Sequence, residues 1–127
     1  MSKIITGLLI LVGIIHLLPL SGVLAAERLT TLYGLSFQEA NISILMRHRA
    51  VLFGLFGLFF IYAAFKPVYQ PLAFIAGFVS VISFMALAWS TGGYNDAIGK
   101  VVIADLVAFA SLLLAVILYL VDSKEKL

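Results

Sequence analysis

The stretch Val101–Val121, VVIADLVAFASLLLAVILYLV, decides the fold class. It carries a single charge, Asp105, in a run long enough to cross a bilayer. An α-helix needs about 20 apolar residues to span roughly 30 Å of hydrocarbon. Backbone donors and acceptors in lipid have to be satisfied inside the segment, so such a run is a helix. It lacks the period-two alternation of an outer-membrane barrel strand. Three further runs share this character: Ile4 to about Leu24, Ile44–Phe65 and Leu72–Ser90.

The whole chain agrees. Of its 127 residues, 64% are hydrophobic and 11% charged. A water-soluble domain has about a quarter charged residues and under half apolar ones. The expectation is an all-α membrane protein with one domain, residues 1–127. Its four transmembrane helices, about 4–24, 44–65, 72–90 and 101–121, form an up-down-up-down bundle. The absence of cysteine excludes disulfides, thiolate metal ligands and cysteine nucleophiles. Eight basic and six acidic residues leave a net charge of +2. That is too weak and too dispersed for a nucleic-acid face.

Two connections are short. Lys66–Pro71 (KPVYQP) is a tight turn whose two prolines cannot continue a helix, and Thr91–Lys100 (TGGYNDAIGK) is a turn-rich loop. The first connection is longer. Glu27 to Tyr33 reads as a short interfacial helix stopped by Gly34. Ser36 and Glu39 then have capping-box spacing for a helical piece leading into the second span. The N-terminal run has a rival reading as a signal peptide cleaved near Val23-Leu24-Ala25. Its length, His16 and Pro19 favour a retained helix.

Orientation follows from positive charge near the helix ends. Lys3, Lys66, Lys124 and Lys126 lie on one side; Arg28, Arg47, Arg49 and Lys100 lie on the other. Discounting Arg47 and Arg49 as buried functional charges places both termini in the cytoplasm.

The unusual polar residues gather at the opposite end of the bundle. His16 lies in the second half of the first span. Arg47, His48 and Arg49 open the second, and Asp105 lies about one turn inside the fourth. In the second span Ala50, Gly54, Gly57 and Ile61 share a stripe with Arg47, and small residues let helices approach closely. That aims Arg47 inward, while Arg49, about 200° round, is expected to snorkel to the interface. Thr6, Leu9, Gly13, His16 and Leu20 form a packing seam in the first span. Ala76, Ser80, Ser83, Leu87 and Ser90 form a small, weakly polar face in the third. Ala104, Ala108, Ser111 and Ala115 do so in the fourth, with Asp105 at its border.

A lone charge in the membrane costs roughly 2.5–3.5 kcal/mol, so Asp105 needs a partner. The expectation is an Asp105–Arg47 ion pair, joined by His16 or His48, lining a recess open to the extracytoplasmic side. The ligand-binding candidates are therefore Arg47, His48, Asp105 and His16, with Arg49, Glu39, Asn95 and Lys100 as secondary candidates. For His16 alone, an interior histidine bonded to a carbonyl is the better reading. No metal or cofactor is expected. There is no Glu-x-x-His pair for a di-metal site, and only His16 and His48 could ligate a haem.

Leu32-Tyr33-Gly34, the run Met46-Arg47-His48-Arg49-Ala50-Val51-Leu52-Phe53-Gly54 and Ala104-Asp105-Leu106 resemble segments of a family of small bacterial four-helix membrane proteins, broadly similar to DoxX-like proteins. The resemblance covers nearly the whole chain and implies a multi-pass protein of the bacterial cytoplasmic membrane. Some members carry the name phosphopantetheine adenylyltransferase. The soluble enzyme of that name uses an H-x-G-H motif after a strand, and this sequence has neither. The resemblance thus supplies a fold and a location and adds no activity.

Three functions compete. The favoured one is binding of a small amphiphile (a lipid head group, quinone or isoprenoid) in the polar recess, with enzymatic activity left open. The second is a structural or accessory protein whose charges only hold the bundle together, in a homodimer or a larger membrane complex. The third, a proton-coupled transporter, is disfavoured because no acidic residue lies near the midplane. Membrane lipids are the expected surroundings in every case.

Overall fold

The computed structural model describes residues 2–18 and 40–126. Those residues are all-helical: α1 Ser2–Leu17, α2 Ala40–Phe65, α3 Gln70–Thr91 and α4 Asp96–Lys126, with a 3₁₀ turn at Pro67–Tyr69. The segment from Ala40, together with the stretches Pro67–Thr91 and Asp96–Ser123, is long and apolar enough to cross a membrane, and α1 is a shorter apolar helix. The expected continuation of the first span to Leu24 lies outside the described residues. So do the interfacial helix at 27–33, the capping box at 36–39, and Glu39 itself.

The outer faces are apolar. Leu55 and Leu58 on α2, Leu72 and Ile75 on α3, and Ile103 and Ile117 on α4 are all exposed. Helices that are hydrophobic all round belong in a core or in lipid, and the core here is already formed by their other faces. These features support a membrane protein, as composition alone suggested.

The core is built from small residues and a few large ones. Ile5, Leu9 and Val12 of α1 meet Phe60, Ala63 and Ala64 of α2, with Leu112 and Ala115 of α4 buried in the same cluster. The closest approach is between α1 and α2. A side-chain carbon on Gly57 would lie 2.7 Å from the Gly13 carbonyl oxygen, and one on Gly13 would lie 2.8 Å from the Gly57 carbonyl oxygen. Lipid tails are as apolar as leucine, so association inside the membrane rests on packing of this kind and on interhelical hydrogen bonds. Thr6 Oγ1 donates to the Ala64 carbonyl at 2.8 Å, and with Gly13 against Gly57 this sets α1 and α2 running in opposite directions. On α3, Gly77 fits against Leu112, and Phe74 and Phe78 meet Tyr119 and Phe109 edge-on.

The helix ends show how the turns work. The last carbonyls of α2 have no helical partner of their own. Lys66 N–H donates to the Ala63 carbonyl at 3.1 Å. The buried Gln70 side chain donates to the Ala63 and Ala64 carbonyls at 3.2 and 3.5 Å. The prolines of the KPVYQP turn sit where a missing N–H costs nothing: Pro67 begins the 3₁₀ turn and Pro71 lies in the first turn of α3.

The loop expected at 91–100 is shorter than its composition suggests. α3 runs through Thr91, and Gly92 and Gly93 leave it with φ of 68° and 66°, a region that glycine enters without strain. α4 begins at Asp96, and Asn95 Oδ1 accepts the Ile98 N–H at 2.8 Å as its N-cap. Asn95, a secondary ligand candidate from sequence, therefore has a structural task. Replacing an N-cap residue by alanine costs about 1 kcal/mol. Asn95→Ala is expected to lower stability by about that amount, read by thermal unfolding in detergent, and Asn95→Asp to restore most of it.

Candidate functional site

His16 is the most completely buried polar side chain at its end of the bundle, 3% exposed. It closes the last turn of α1. Its Nδ1 donates to the Val12 carbonyl at 2.9 Å, four residues back. A carbonyl only accepts, so Nδ1 carries the proton. In the neutral ring Nε2 then accepts from the Ser80 hydroxyl on α3, at 2.9 Å. The imidazole is walled by aromatic rings of α2: Phe60 at 4.8 Å between centroids, Phe53 at 5.7 Å and Phe56 at 6.4 Å. His16 thus ties α1 to α3 across the face of α2. It satisfies the reading of an interior histidine bonded to a carbonyl, and its second nitrogen holds a serine.

A serine hydroxyl on a histidine nitrogen is also half of a nucleophilic pair. Two features argue for a structural bond instead. The orienting group behind the imidazole is a neutral carbonyl, where hydrolytic triads place a carboxylate. Ser80 lies in the middle of α3, so nearby backbone N–H groups are spent in the helix and cannot form an oxyanion hole.

Beside this bond lies a cavity of about 540 Å³ between α2 and α3. Ligand pockets run from roughly 300 to 1,000 Å³. From α2 the wall comprises Arg49, Leu52, Phe53 and Phe56. From α3 it includes Ala76, Val79, Ser80 and Ser83, and then Phe84 and Leu87 toward the end of the helix. The cleft exists because α2 and α3 touch far less than α1 and α2 do. They meet at the Gln70 end, where Gln70 reaches the α2 carbonyls, and near Gly77, which faces Phe60. Beyond Gly77 they leave the space lined by Ser80 and Ser83. Leu52, Phe56 and Val79 are exposed along its rim, so among the described residues the opening faces sideways, where lipid would lie. Ser83 Oγ donates to the Ser80 carbonyl at 3.1 Å.

The charged residues take different places from those expected. Arg49 is the cation of the cleft. It is half-buried, its guanidinium carbon stands 4.5 Å above the centroid of the Phe53 ring, and Phe53 in turn contacts His16. Arg47, expected to point inward, is exposed. The small stripe of α2 is buried as anticipated at Ala50, Gly54 and Gly57. Arg47 stands ten residues, about 15 Å, from the Gly57 close approach and lies past the packed part of that stripe. His48 is exposed next to it, so the two histidines sit in different surroundings. Asp105 is half-buried. Because α4 starts at Asp96, Asp105 is nine residues, about 14 Å, from the start of the helix. Arg49 lies close enough for its charge to act on that carboxylate. Lys100 is exposed on α4.

Sequence reasoning found the cleft's α3 wall as a small serine-bearing face without seeing that it bordered a cavity. It missed Phe84 as a wall residue and Gln70 as the polar clasp at the closed end. Gln70 carried a signal: it is the one amide in the KPVYQP turn, next to carbonyls that need donors. Among the described residues no three His, Cys, Asp or Glu side chains converge as a metal site would require. Comparison with family models, curated proteins and solved structures returns no match.

Proposed function

We propose that this chain is a DoxX-like multi-pass protein of the bacterial cytoplasmic membrane that holds a small amphiphile in the cleft between α2 and α3. In this reading α1 is the first of four spans in an up-down-up-down bundle. Both termini are cytoplasmic, and the Arg49 end of the cleft lies toward the extracytoplasmic face. The observation that carries it is the cleft itself: about 540 Å³, walled by leucine and phenylalanine, with one cation and two serines. Apolar walls with a few placed polar groups are the ordinary make-up of a small-molecule site.

A second reading keeps a specific observation of its own. His16 has both ring nitrogens bonded, and no buried side-chain polar atom among the described residues lacks a partner. A bundle so completely satisfied also fits a structural or accessory membrane protein, alone, as a homodimer or in a larger complex.

Filling the cleft separates the two. Val79 and Ala76 line it, and neither has a side chain that can hydrogen-bond. Val79→Trp and Ala76→Phe are expected to leave thermal stability close to wild type and to deplete an amphiphile that co-purifies with the native protein, measured by mass spectrometry of extracts. Unchanged extracts from wild type and both variants would favour the structural reading.

A further inference from the structure

The direction of the hydrogen bonds around His16 narrows the occupant of the cleft, an inference that rests on the amphiphile-binding reading. We infer that the ligand is an uncharged amphiphile whose head group is a hydroxyl, entering the cleft hydroxyl-first and donating its proton to Ser80 Oγ.

The charge balance excludes an ionic head. Arg49 is the charged residue of the cleft wall. Its guanidinium carbon stands over the Phe53 ring, and its charge acts on the Asp105 carboxylate. The cation is thus engaged from inside the protein and calls for no anion from outside. The rest of the wall is leucine, phenylalanine, alanine, valine and the two serines. An ionised head group there would lose its hydration without gaining a counter-charge.

The serines set the polarity of what remains. The Val12 carbonyl can only accept, so His16 Nδ1 carries the proton and Nε2 is left to accept from Ser80. One fixed end therefore orients the whole chain of bonds: Ser80 donates to His16, and His16 donates to Val12. Turning the Ser80 hydroxyl toward a ligand would strip a buried nitrogen of its donor. Ser83 Oγ is likewise committed as a donor, to the Ser80 carbonyl at 3.1 Å. What both oxygens offer the cleft is lone pairs. A hydroxyl head supplies the proton they lack. A ketone, quinone or ester carbonyl would set acceptor against acceptor.

Depth sharpens the selection. Ser80 stands near the middle of α3, about 15 Å from either end of the helix. In the four-span reading this is the hydrocarbon, where a hydroxyl finds no partner among the lipid tails. An acceptor at that depth discriminates more strongly than one at the wet interface. Leu52, Phe56 and Val79 are exposed along the rim, so the tail leaves sideways into the surrounding lipid while the hydroxyl reaches Ser80.

The test compares hexadecan-2-ol, hexadecan-2-one and hexadecanoate on the intact chain in detergent at pH 8, by native mass spectrometry. The alcohol and the ketone share one carbon skeleton and differ in whether the oxygen donates. The alcohol is expected to bind about fivefold more tightly than the ketone, the scale of one neutral hydrogen bond, and more tightly than the carboxylate. Ser80→Val, which puts a methyl where the hydroxyl stood, should bring the alcohol down to the ketone level. Ser83→Ala should leave the preference within about twofold of wild type. The wild-type comparison stands even if Ser80→Val fails to fold. Equal binding of alcohol and ketone, or preference for the ketone, would overturn the donor assignment while leaving amphiphile binding intact. Preference for hexadecanoate would overturn the uncharged head group, and loss of the preference in Ser83→Ala but not in Ser80→Val would overturn the assignment to Ser80. Binding of none of the three above background would remove both this inference and the reading beneath it.

Discussion

Gly57→Leu is expected to prevent accumulation of folded protein, or to lower its unfolding temperature in detergent more than any other single change considered. The reason is a backbone contact. A Cβ at position 57 would stand 2.7 Å from the Gly13 carbonyl oxygen and 2.6 Å from Leu17 Cγ. The leucine side chain can rotate away, but the carbonyl belongs to the backbone of α1. The helices have to separate, and every contact along the seam from Thr6 to His16 weakens together. Overpacking a well-fitted core costs roughly 1–3 kcal/mol for modest insertions, so Gly57→Ala should lie in that range and Gly57→Leu above it. Gly7 is the control. It lies on the same seam helix, but a Cβ there meets nothing within 4 Å. Gly7→Ala should be neutral or stabilising by up to about 1 kcal/mol, the gain in helix propensity. If Gly57→Ala and Gly7→Ala behaved alike, the α1–α2 close approach would be wrong.

His16→Ala carries the second large effect, about 2–3 kcal/mol of destabilisation. It removes an aromatic-walled side chain that is 3% exposed and leaves a void against Phe53 and Phe60. It also deletes the only side-chain hydrogen bond that the described residues show between α1 and α3. In membrane bundles such interhelical bonds are worth about 0.6 kcal/mol on average and up to about 1.7. A double-mutant cycle of His16→Ala with Ser80→Ala should return a coupling in that range, and the larger remainder of the His16 effect belongs to packing. Ser80→Ala by itself should cost about 1 kcal/mol, because it leaves Nε2 without its donor. Zero coupling between the two positions would show that the hydrogen bond does not hold α1 to α3.

Much of the architecture was legible because lipid simplifies the code. Apolar length alone located α2, α3 and α4, and each helix proved longer than its apolar run. α4 starts at Asp96 and not Val101, since hydropathy reports where lipid begins, whereas Asn95 capping sets where the helix begins. The Ala50–Gly54–Gly57 stripe was readable because close backbone approach admits only small residues. The position of the charge was not. A helical wheel names one packed face, but α2 has two neighbours, α1 on the glycine stripe and α3 on the side of Leu52, Phe53 and Phe56. Arg49, assigned to the interface because it lay away from the stripe, falls on that second side. No periodicity in a single helix encodes the gap between two others, so the cleft could only emerge once α3 was placed. The Ser80–His16 bond joins residues 64 apart in sequence, and it was invisible for the same reason.

The most direct test of the cleft as a ligand site is photo-crosslinking in a bilayer, using a long-chain alcohol with a diazirine near its hydroxyl and another with the diazirine mid-chain. Labelled residues would be mapped by peptide mass spectrometry. The near-head probe should mark Phe53, Ser80 or Ser83, and the mid-chain probe Leu52, Phe56 or Val79, with both signals lost in Val79→Trp. Labelling spread evenly over outward-facing residues such as Leu58, Ile75 and Ile117, and unaffected by Val79→Trp, would contradict the account.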